Sequence, residues 1–492
     1  MKPSSLFIPF SLILLLLVSF VPPAAAFCGF FVSQADTSLF NQASEVIIAR
    51  DHHRTILTIA NDYQGEVQDF ALVVPVPVAI TEDQVQVGDP KILQRLDEFT
   101  APRLVEYFDS DPCTPQTGAS FGFSTQGGIG IINFGDGKNA APLDNAALLG
   151  VTIEDRFSIG EYDILLLSAK ESEGLETWLR QNNYQLPEGA SKVLHPYIRQ
   201  DFKFFVAKIN LAEFEQSEFQ ALRPLQIAYE SPRFSLPIRL GMLNAQGAQD
   251  LIVYALTPTG RVELTNYRTV PIPSDVNIPE FVEDEFGAFY QALFQTSYET
   301  ENKEVAFLEY AWDMSWCDPC AANPLTPEEL RQAGVFWLPS PQARAESQPN
   351  AATQSPSALP PFPVTPLPSS ASPVVNLSSP VQQNPTPVHI TRLHVRYARD
   401  KFPEDLRFQT TGNRENYQGR YVIQRPYREA PTCDVSDYRA SVRDRQSQEL
   451  ETLAQLTGWD KKQLHRKVDW LEDVPLVKPQ GDDWWRDLFS TE

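Results

Sequence analysis

A proline-rich stretch divides the chain, and this division constrains the fold more than any other feature. Residues 339–387 hold 13 prolines and only two charged residues, Arg344 and Glu346. Proline keeps a chain extended, and the stretch has few apolar side chains to offset the entropy cost of ordering. We therefore expect a disordered linker that separates a main block, residues 27–338, from a C-terminal segment, residues 388–492.

Strand patterns dominate the main block. Two hairpins are predicted where an alternating pattern resumes after a turn rich in Gly, Pro or Asn. Further strands are predicted over 161–167 and 202–209, and helices after Asp89, over 174–184, around 281–293 and at the capping box Thr326-Pro-Glu-Glu329. The strands of the two predicted hairpins are 54–60 with 70–74, and 250–256 with 261–267.

These patterns predict a mixed α+β fold, in which antiparallel sheet predominates and a few helices cover it. Val74-Pro-Val-Pro77 and Val270-Pro-Ile-Pro273 each follow a predicted hairpin, which leaves open two related β-rich subdomains. After the linker, an alternating half-buried strand over 388–397, a strand over 419–424 and a helix ending at Gly458 are predicted. Because two strands and a helix are little material for a core, we expect this segment to dock on the main block.

The N-terminus has the layout of a secretory signal peptide. Lys2 precedes an uncharged apolar run over 6–21, and Ala24-Ala25-Ala26 offers small residues for cleavage after Ala26. The run is shorter than the roughly 20 residues of a membrane span. We expect export to the periplasm or the extracellular space, with an uncleaved anchor as the alternative.

The formal charge of −23 restricts the partners of the protein. An acidic chain repels phosphate backbones and anionic bilayers, so we expect neither nucleic acid nor electrostatic membrane docking. No other uncharged run approaches membrane-spanning length, which predicts a mature chain without a transmembrane helix. Peripheral contact through Trp484, Trp485, Leu488 and Phe489 is an alternative to a tail that docks on its own protein.

Nine short motifs lie on both sides of the proline-rich stretch. They are Cys28-Gly-Phe-Phe, Asn61-Asp-Tyr-Gln-Gly65, Val74-Pro-Val-Pro77, Thr100-Ala-Pro-Arg-Leu-Val-Glu-Tyr-Phe108, Leu236-Pro-Ile-Arg-Leu-Gly241, Trp316-Cys-Asp-Pro-Cys320, Thr391-Arg-Leu-His-Val-Arg-Tyr397, Phe402-Pro-Glu-Asp-Leu406 and Gln418-Gly-Arg-Tyr421. Together they resemble an exported bacterial family known as domain of unknown function 2330. The resemblance implies export and a pattern that continues on both sides of the linker, but it implies no activity, substrate or catalytic residue.

Cysteines are expected to oxidise in an exported protein. Cys28, Cys113, Cys317 and Cys320 are the disulfide candidates, and Cys433 is expected to be the odd thiol. A bond between Cys28 and Cys113 is one pairing among several, because connectivity cannot be deduced from sequence.

Trp316-Cys-Asp-Pro-Cys320 resembles the active-site pentapeptide of thioredoxin-like oxidoreductases. That chemistry needs the first thiol at a helix start, where its pKa is lowered. Pro324 follows too closely for such a helix, and no βαβ pattern surrounds the motif. We therefore expect a structural disulfide, with redox catalysis by Cys317 and Cys320 as the alternative. Zinc would need further ligands at suitable spacing, so no metal or cofactor is predicted.

The remaining polar candidates are weak. His52 and His53 are adjacent on a predicted strand boundary and point to opposite faces, which makes a poor chelate. His195 has no evident partner, so we expect a structural role for it, and Asp109 with Asp111 lacks a calcium-loop pattern. The sequence thus favours an exported, non-catalytic envelope protein, stapled by disulfides, that binds an unknown ligand or protein; a thiol–disulfide oxidoreductase is the alternative.

Overall fold

The fold was analysed in a computed structural model of the chain. It describes residues 30–33, 40–41, 43–60, 63–64, 70–114, 149–182, 184, 186, 189–216, 222–243, 247–315, 318, 323–339 and 387–471.

The strands are β1 (Phe30–Ser33), β2 (Phe40–Asn41), β3 (Ala43–Asp51), β4 (Arg54–Ala60), β5 (Tyr63–Gln64), β6 (Phe70–Val76), β7 (Val85–Val87), β8 (Arg103–Phe108), β9 (Val151–Ile159), β10 (Tyr162–Ala169), β11 (Lys203–Ile209), β12 (Leu225–Glu230), β13 (Ser235–Leu236), β14 (Gln249–Thr257), β15 (Val262–Leu264), β16 (Arg268–Pro271), β17 (Val276–Asn277), β18 (Val305–Asp313), β19 (His389–Tyr397), β20 (Leu406–Thr410), β21 (Tyr417–Gln418) and β22 (Arg420–Arg425). The α-helices are α1 (Lys91–Thr100), α2 (Ser172–Gln181), α3 (Ala190–Ile198), α4 (Leu211–Gln216), α5 (Phe286–Thr300), α6 (Pro327–Gln332), α7 (Ser436–Thr457) and α8 (Lys461–Lys467).

Two large sheets pack face to face around the main core. One has five strands in the order β1-β6-β11-β10-β9, and the other has nine, with the path β16-β18-β19-β14-β3-β4-β12-β7 and β21 beside β18. Side chains from both sheets, such as Leu72 and Phe205 on one and Val46, Val253 and Leu393 on the other, form one buried apolar cluster. The fold is therefore α+β with mostly antiparallel pairing, as the sequence predicts.

Helices cover the outer face of each sheet. Helices α2 and α3 bury Trp178, Leu194 and Tyr197 against the five-stranded sheet. Helices α1 and α6 pack on the nine-stranded sheet through residues such as Leu96 and Leu330, while α5, α7 and α8 form a further cluster beside them. Within the described part of the chain, no helix is long and apolar enough to cross a bilayer.

Local capping signals in the sequence are confirmed where the structure describes them. Asp89 accepts a hydrogen bond from the backbone N–H of Lys91 at 2.9 Å, and α1 follows. The Thr326–Glu329 capping box is formed at the start of α6. Helix α7 ends at Gly458, which adopts the left-handed conformation that only glycine takes at little cost. Short-range chemistry therefore fixes these helix ends.

Both predicted hairpins are wrong, although their strands exist. Strand β4 pairs with β3 and β12 in the nine-stranded sheet, whereas β6 pairs with β1 and β11 in the other. Strand β14 pairs with β19 and β3, and β15 pairs with β20 in a separate small sheet. The connecting turns therefore pass the chain from one sheet to another, which a turn motif alone does not reveal.

The half-buried strand predicted over 388–397 is a fully paired central strand. Strand β19 lies between β14 and β18, and its charged face is covered by α1 and α5. Arg392 donates to Glu309 at 2.6 Å, and Arg396 donates to Asp250 at 2.7 Å. His394 Nδ1 lies 2.7 Å from Glu309 Oε1. The alternating pattern predicts that the charged face contacts solvent, whereas in the structure this face is covered and its charges form ion pairs.

The charges of this buried belt hold one another ionised. Burial alone raises the pKa of Glu309, but His394 and Arg392 lower it to about 2. Burial lowers the pKa of His394, but the carboxylates of Glu309 and Asp250 together outweigh that effect and raise it. Because each charge is already engaged, we interpret this belt as structural rather than as a reaction centre.

The described residues on the two sides of the interval 340–386 lie in contact with each other. The indole N–H of Trp337 donates to the carbonyl oxygen of Pro387 at 2.9 Å. Met314 then donates its backbone N–H to Val388 at 2.9 Å, immediately before β19 begins. The domain boundaries predicted from the sequence stay a prediction, but the residues that flank this interval are adjacent.

The two Val-Pro-x-Pro segments occupy unlike positions. One forms the end of β6, between β1 and β11 in the five-stranded sheet. The other forms β16 at the edge of the nine-stranded sheet, parallel to β18. The structure therefore gives the two segments different neighbours, and the hypothesis of related subdomains gains no support from them.

Candidate functional site

Three of the cysteine candidates lie outside the described residues. These are Cys28, Cys317 and Cys320, so a redox or structural role for the close pair stays a prediction. Asp318, between Cys317 and Cys320, is buried and accepts hydrogen bonds from Tyr310 at 2.9 Å and Gln418 at 3.1 Å. The signal-like N-terminus and the apolar residues Trp484, Trp485, Leu488 and Phe489 also lie outside this part of the chain.

The fourth candidate, Cys113, forms a disulfide with Cys433. This excludes the candidate pairing of Cys113 with Cys28 and overturns the expectation that Cys433 is the odd thiol. The Cα atoms lie 5.5 Å apart across 320 residues of sequence. The end of β8 and helix α7 meet here, because Asp109, directly after β8, accepts hydrogen bonds from Tyr438 at 2.7 Å and Arg445 at 2.8 Å, both on α7. The pairing depends on this long-range contact.

The remaining polar candidates are separate in the fold. His52 occupies the turn between β3 and β4, with Nδ1 2.7 Å from the Asp51 carboxylate, and both His52 and His53 are exposed. The Asp109 carboxylate is engaged as described, and Asp111 accepts the backbone N–H of Cys113 at 2.8 Å. Among the described residues, no group of three His, Cys, Asp or Glu side chains is placed to hold a metal ion.

A cleft of about 830 Å³ opens between the end of α3, the start of β11 and the strands β13 and β20. No sequence motif indicates this cleft. Three phenyl rings lie in its wall, and Phe234 contacts Phe408 with ring centroids 5.2 Å apart. It is lined by Pro196, Arg199, Gln200, Phe202, Arg233, Phe234, Ser235, Arg239, Thr265, Glu404, Asp405, Arg407 and Phe408.

The wall of this cleft is held by an ion pair between Arg239 and Asp405. Arg239 donates Nε at 3.2 Å and Nη2 at 2.8 Å to the Asp405 carboxylate. Asp405 also accepts the backbone N–H groups of Ile238 and Arg239 and the hydroxyl of Tyr197, the last at 2.6 Å. Five donors thus converge on one carboxylate, which fixes the position of Arg239.

Electrostatics keep this pair charged. Burial lowers the pKa of the Arg239 guanidinium, but the hydrogen bonds and charge of Asp405, together with Tyr197, outweigh it and raise the pKa overall. Burial and the Asp405 charge hold the pKa of Tyr197 well above its usual range. The Arg239 guanidinium also lies 4.8 Å from the centre of the Tyr197 ring, a cation–π contact. The wall is therefore a rigid, neutralised element.

A second cavity of about 640 Å³ adjoins the first. It shares Pro196 and Arg239 with the first cavity, so the Arg239–Asp405 wall stands between the two. Its lining adds Gly189, Lys192, Val193, Met242, Arg399 and Pro403. We refer to the two cavities together as the basic cleft.

The basic cleft is positively charged in an acidic protein. Six cations and two carboxylates line it. Removing them from the totals of 40 basic and 63 acidic residues leaves a formal charge of −27 for the rest of the chain. The six cations are Lys192, Arg199, Arg233, Arg239, Arg399 and Arg407.

These cations differ in the ion pairs, hydrogen bonds and ring contacts that they make with other protein groups. Arg407 pairs with Glu404 at 2.9 Å on the surface. Arg233 lies 5.0 Å from the centre of the Phe202 ring and donates to a backbone carbonyl. Lys192 and Arg199 are exposed, and their side chains make no hydrogen bond or ion pair with any described residue. Two cations are therefore available to a ligand.

His195 belongs to the same helix and is exposed, one turn before Arg199. It lines neither cavity. The role assigned to it from sequence stays a prediction.

No local sequence pattern marks this site, because its lining residues come from segments far apart in the chain. Two motifs that carry the family resemblance meet here. One contributes Arg239 and the other Asp405. Only their pairing in three dimensions relates the two motifs to a common wall.

Comparison with known proteins gives a family and no relative of known activity. A family model described as an uncharacterized protein conserved in bacteria, DUF2330, matches residues 22–409. This confirms the resemblance. Neither the search of curated proteins nor the search of solved structures found a match.

Proposed function

Since the chain belongs to this bacterial family, DUF2330, whose description names no activity, we propose that it is an exported, non-catalytic binding protein whose basic cleft holds an anionic ligand. The observation that carries the proposal is the local excess of cations. Six cations face two carboxylates in cavities of ligand size, whereas the rest of the chain is strongly acidic. An anion is therefore attracted to this region.

The chemistry of the lining supports binding. Guanidinium groups present several N–H donors in a fixed plane, which matches the oxygens of carboxylates and phosphates. Ser235 and Thr265 add hydroxyl groups, and the phenyl rings give an apolar wall. Both carboxylates of the lining, on Glu404 and Asp405, are engaged in ion pairs, so neither is free as an acid or base.

A matched pair of arginines tests the proposal. Arg407 and Arg268 are both exposed and each makes one ion pair with a glutamate, but only Arg407 lines the cleft. Anion binding to the mature protein is measured by calorimetry, with phosphate, citrate and a neutral sugar as ligands. We expect an anion to bind and Arg407→Ala to weaken it about tenfold or more, as for a hydrogen bond to a charged group.

Arg268→Ala is the control and leaves the affinity unchanged. Equal losses in both variants, or no binding of any anion, would refute the proposal.

Export is tested separately. In the native host, the mature protein is recovered from the cell envelope or medium and its first residue is sequenced. The signal-peptide prediction requires Phe27 at the N-terminus; an intact Met1 in the cytosol contradicts it.

A further inference from the structure

The two cavities of the basic cleft present unpaired cations at a defined spacing. Lys192 and Arg199 are seven residues apart along α3, and Arg199 keeps helical backbone angles at its end. Seven residues are close to two turns, so both lie on one helix face, about 10 Å apart along the axis. Pro196 lies between them and lines both cavities.

The wall between these cations carries little net charge. Arg239 is neutralised by Asp405, and Pro196 is apolar. An anionic group on the ligand therefore has a more favourable electrostatic interaction near Lys192 or near Arg199 than at the wall between them. The middle of the ligand faces this neutral wall.

The surroundings limit the size of the ligand. Outside the cleft the chain is strongly acidic overall, and surface charges act over about 8 Å at physiological salt. A short ligand that ends inside the two cavities avoids this repulsion, whereas a long polyanion must also cross acidic surface. The charge distribution thus favours a compact anion.

We propose that the ligand is a compact dianion, with two carboxylate or phosphate groups about 10 Å apart, one beside Lys192 and one beside Arg199. This inference rests on the proposed function and names its ligand class. Binding is non-covalent, and the two charge contacts together give an affinity that neither gives alone.

A series of linear dicarboxylates of increasing length tests the spacing on the mature protein. Each is compared by calorimetry with the monocarboxylate of equal carbon number. We expect affinity to peak at an intermediate length and to exceed that of the matched monocarboxylate at least tenfold. Bisphosphates of the same lengths, run in parallel, tell a phosphate ligand from a carboxylate ligand.

Variants then assign each end. Lys192→Ala and Arg199→Ala are each expected to lower the affinity for the tightest-binding dicarboxylate to that for the matched monocarboxylate. Lys462→Ala is the control, since Lys462 is an exposed helical lysine outside the cleft, and it leaves binding unchanged.

The outcomes separate this inference from the proposed function. If no dicarboxylate of any length binds more tightly than its monocarboxylate, the proposal of a dianionic ligand is wrong, whereas the proposal of anion binding stands. Polyglutamate that binds more tightly than every short dicarboxylate overturns the compact ligand. Absence of any anion binding overturns both proposals.

Discussion

Replacing Glu449 by glutamine should stabilise the protein, and increasingly so as the pH rises. Glu449 is buried on α7, and its Oε1 has no hydrogen-bond partner among the described residues. The nearest cation, Arg445, has its Nε 3.5 Å away and is shared with Asp109. Burial is the main cause that raises the pKa of Glu449 to about 7; Arg445 opposes it, whereas Glu280 and Asp109 add to it.

The size of the effect follows from proton linkage. In the unfolded chain Glu449 titrates near 4.5, so between pH 4.5 and 7 the native state holds a proton that the unfolded state has lost. Stability therefore falls as the pH rises through this window. A difference of about 2.5 pKa units corresponds to about 3 kcal/mol at most. Glutamine keeps the group neutral at every pH and removes this loss.

Urea unfolding of the wild type and Glu449→Gln at pH 4 and pH 8 measures the prediction. We expect similar stability at pH 4 and an advantage of up to about 3 kcal/mol for the variant at pH 8. Glu451→Gln, on an exposed side chain two residues away that pairs with Lys461, is the matched control and should gain nothing at pH 8. A Glu449→Gln effect that is equal at the two pH values would refute the reasoning.

Three further predictions concern stability. Cys433→Ser opens a loop of 320 residues and should lower the unfolding free energy by up to about 5–6 kcal/mol on the chain-entropy model; an unchanged urea midpoint contradicts it. Asp405→Ala leaves the mostly buried Arg239 unpaired and should cost about 3 kcal/mol or more, measured the same way, and a loss below about 1 kcal/mol would count against the rigid wall. Burial lowers the pKa of His389 to about 4 from its usual 6.5, so the stability it contributes is full above pH 6.5 and is lost as the pH falls towards 4. As the pH falls from 7 to 4, the wild type should therefore lose up to about 3 kcal/mol more unfolding free energy than His389→Leu. Parallel pH profiles of unfolding for the two proteins would contradict this.

The sequence predicted the elements of this fold better than their partners. Apolar side chains at helical spacing identified α1, and its predicted stripe of Ile92, Leu93, Leu96 and Phe99 is buried. These signals act within a few residues and survive in any tertiary context. Pairing is different, since β3 lies parallel to β14, whose residues follow some 200 positions later. No local pattern encodes such a neighbour.

The polar face of β19 shows why burial was misjudged. Arg392, His394 and Arg396 alternate with apolar residues, as in a strand with one face in water. Their counter-charges, Glu309 and Asp250, come from other strands, so only the assembled sheet reveals that the face is covered. The basic cleft was missed for the same reason, because its cations are scattered along the chain and single arginines usually mark ordinary surface.

The hydrogen bond between Trp337 and Pro387 places the two flanks of the interval 340–386 side by side. A protease that cut there would detach nothing. The C-terminal fragment would stay threaded between β14 and β18 through β19, and covalently tethered by Cys113 to Cys433. Cleaved molecules would run as one species on a non-reducing denaturing gel and as two after reduction. Because the flanks of the interval are adjacent, a foreign domain could be inserted there without separating the two large sheets.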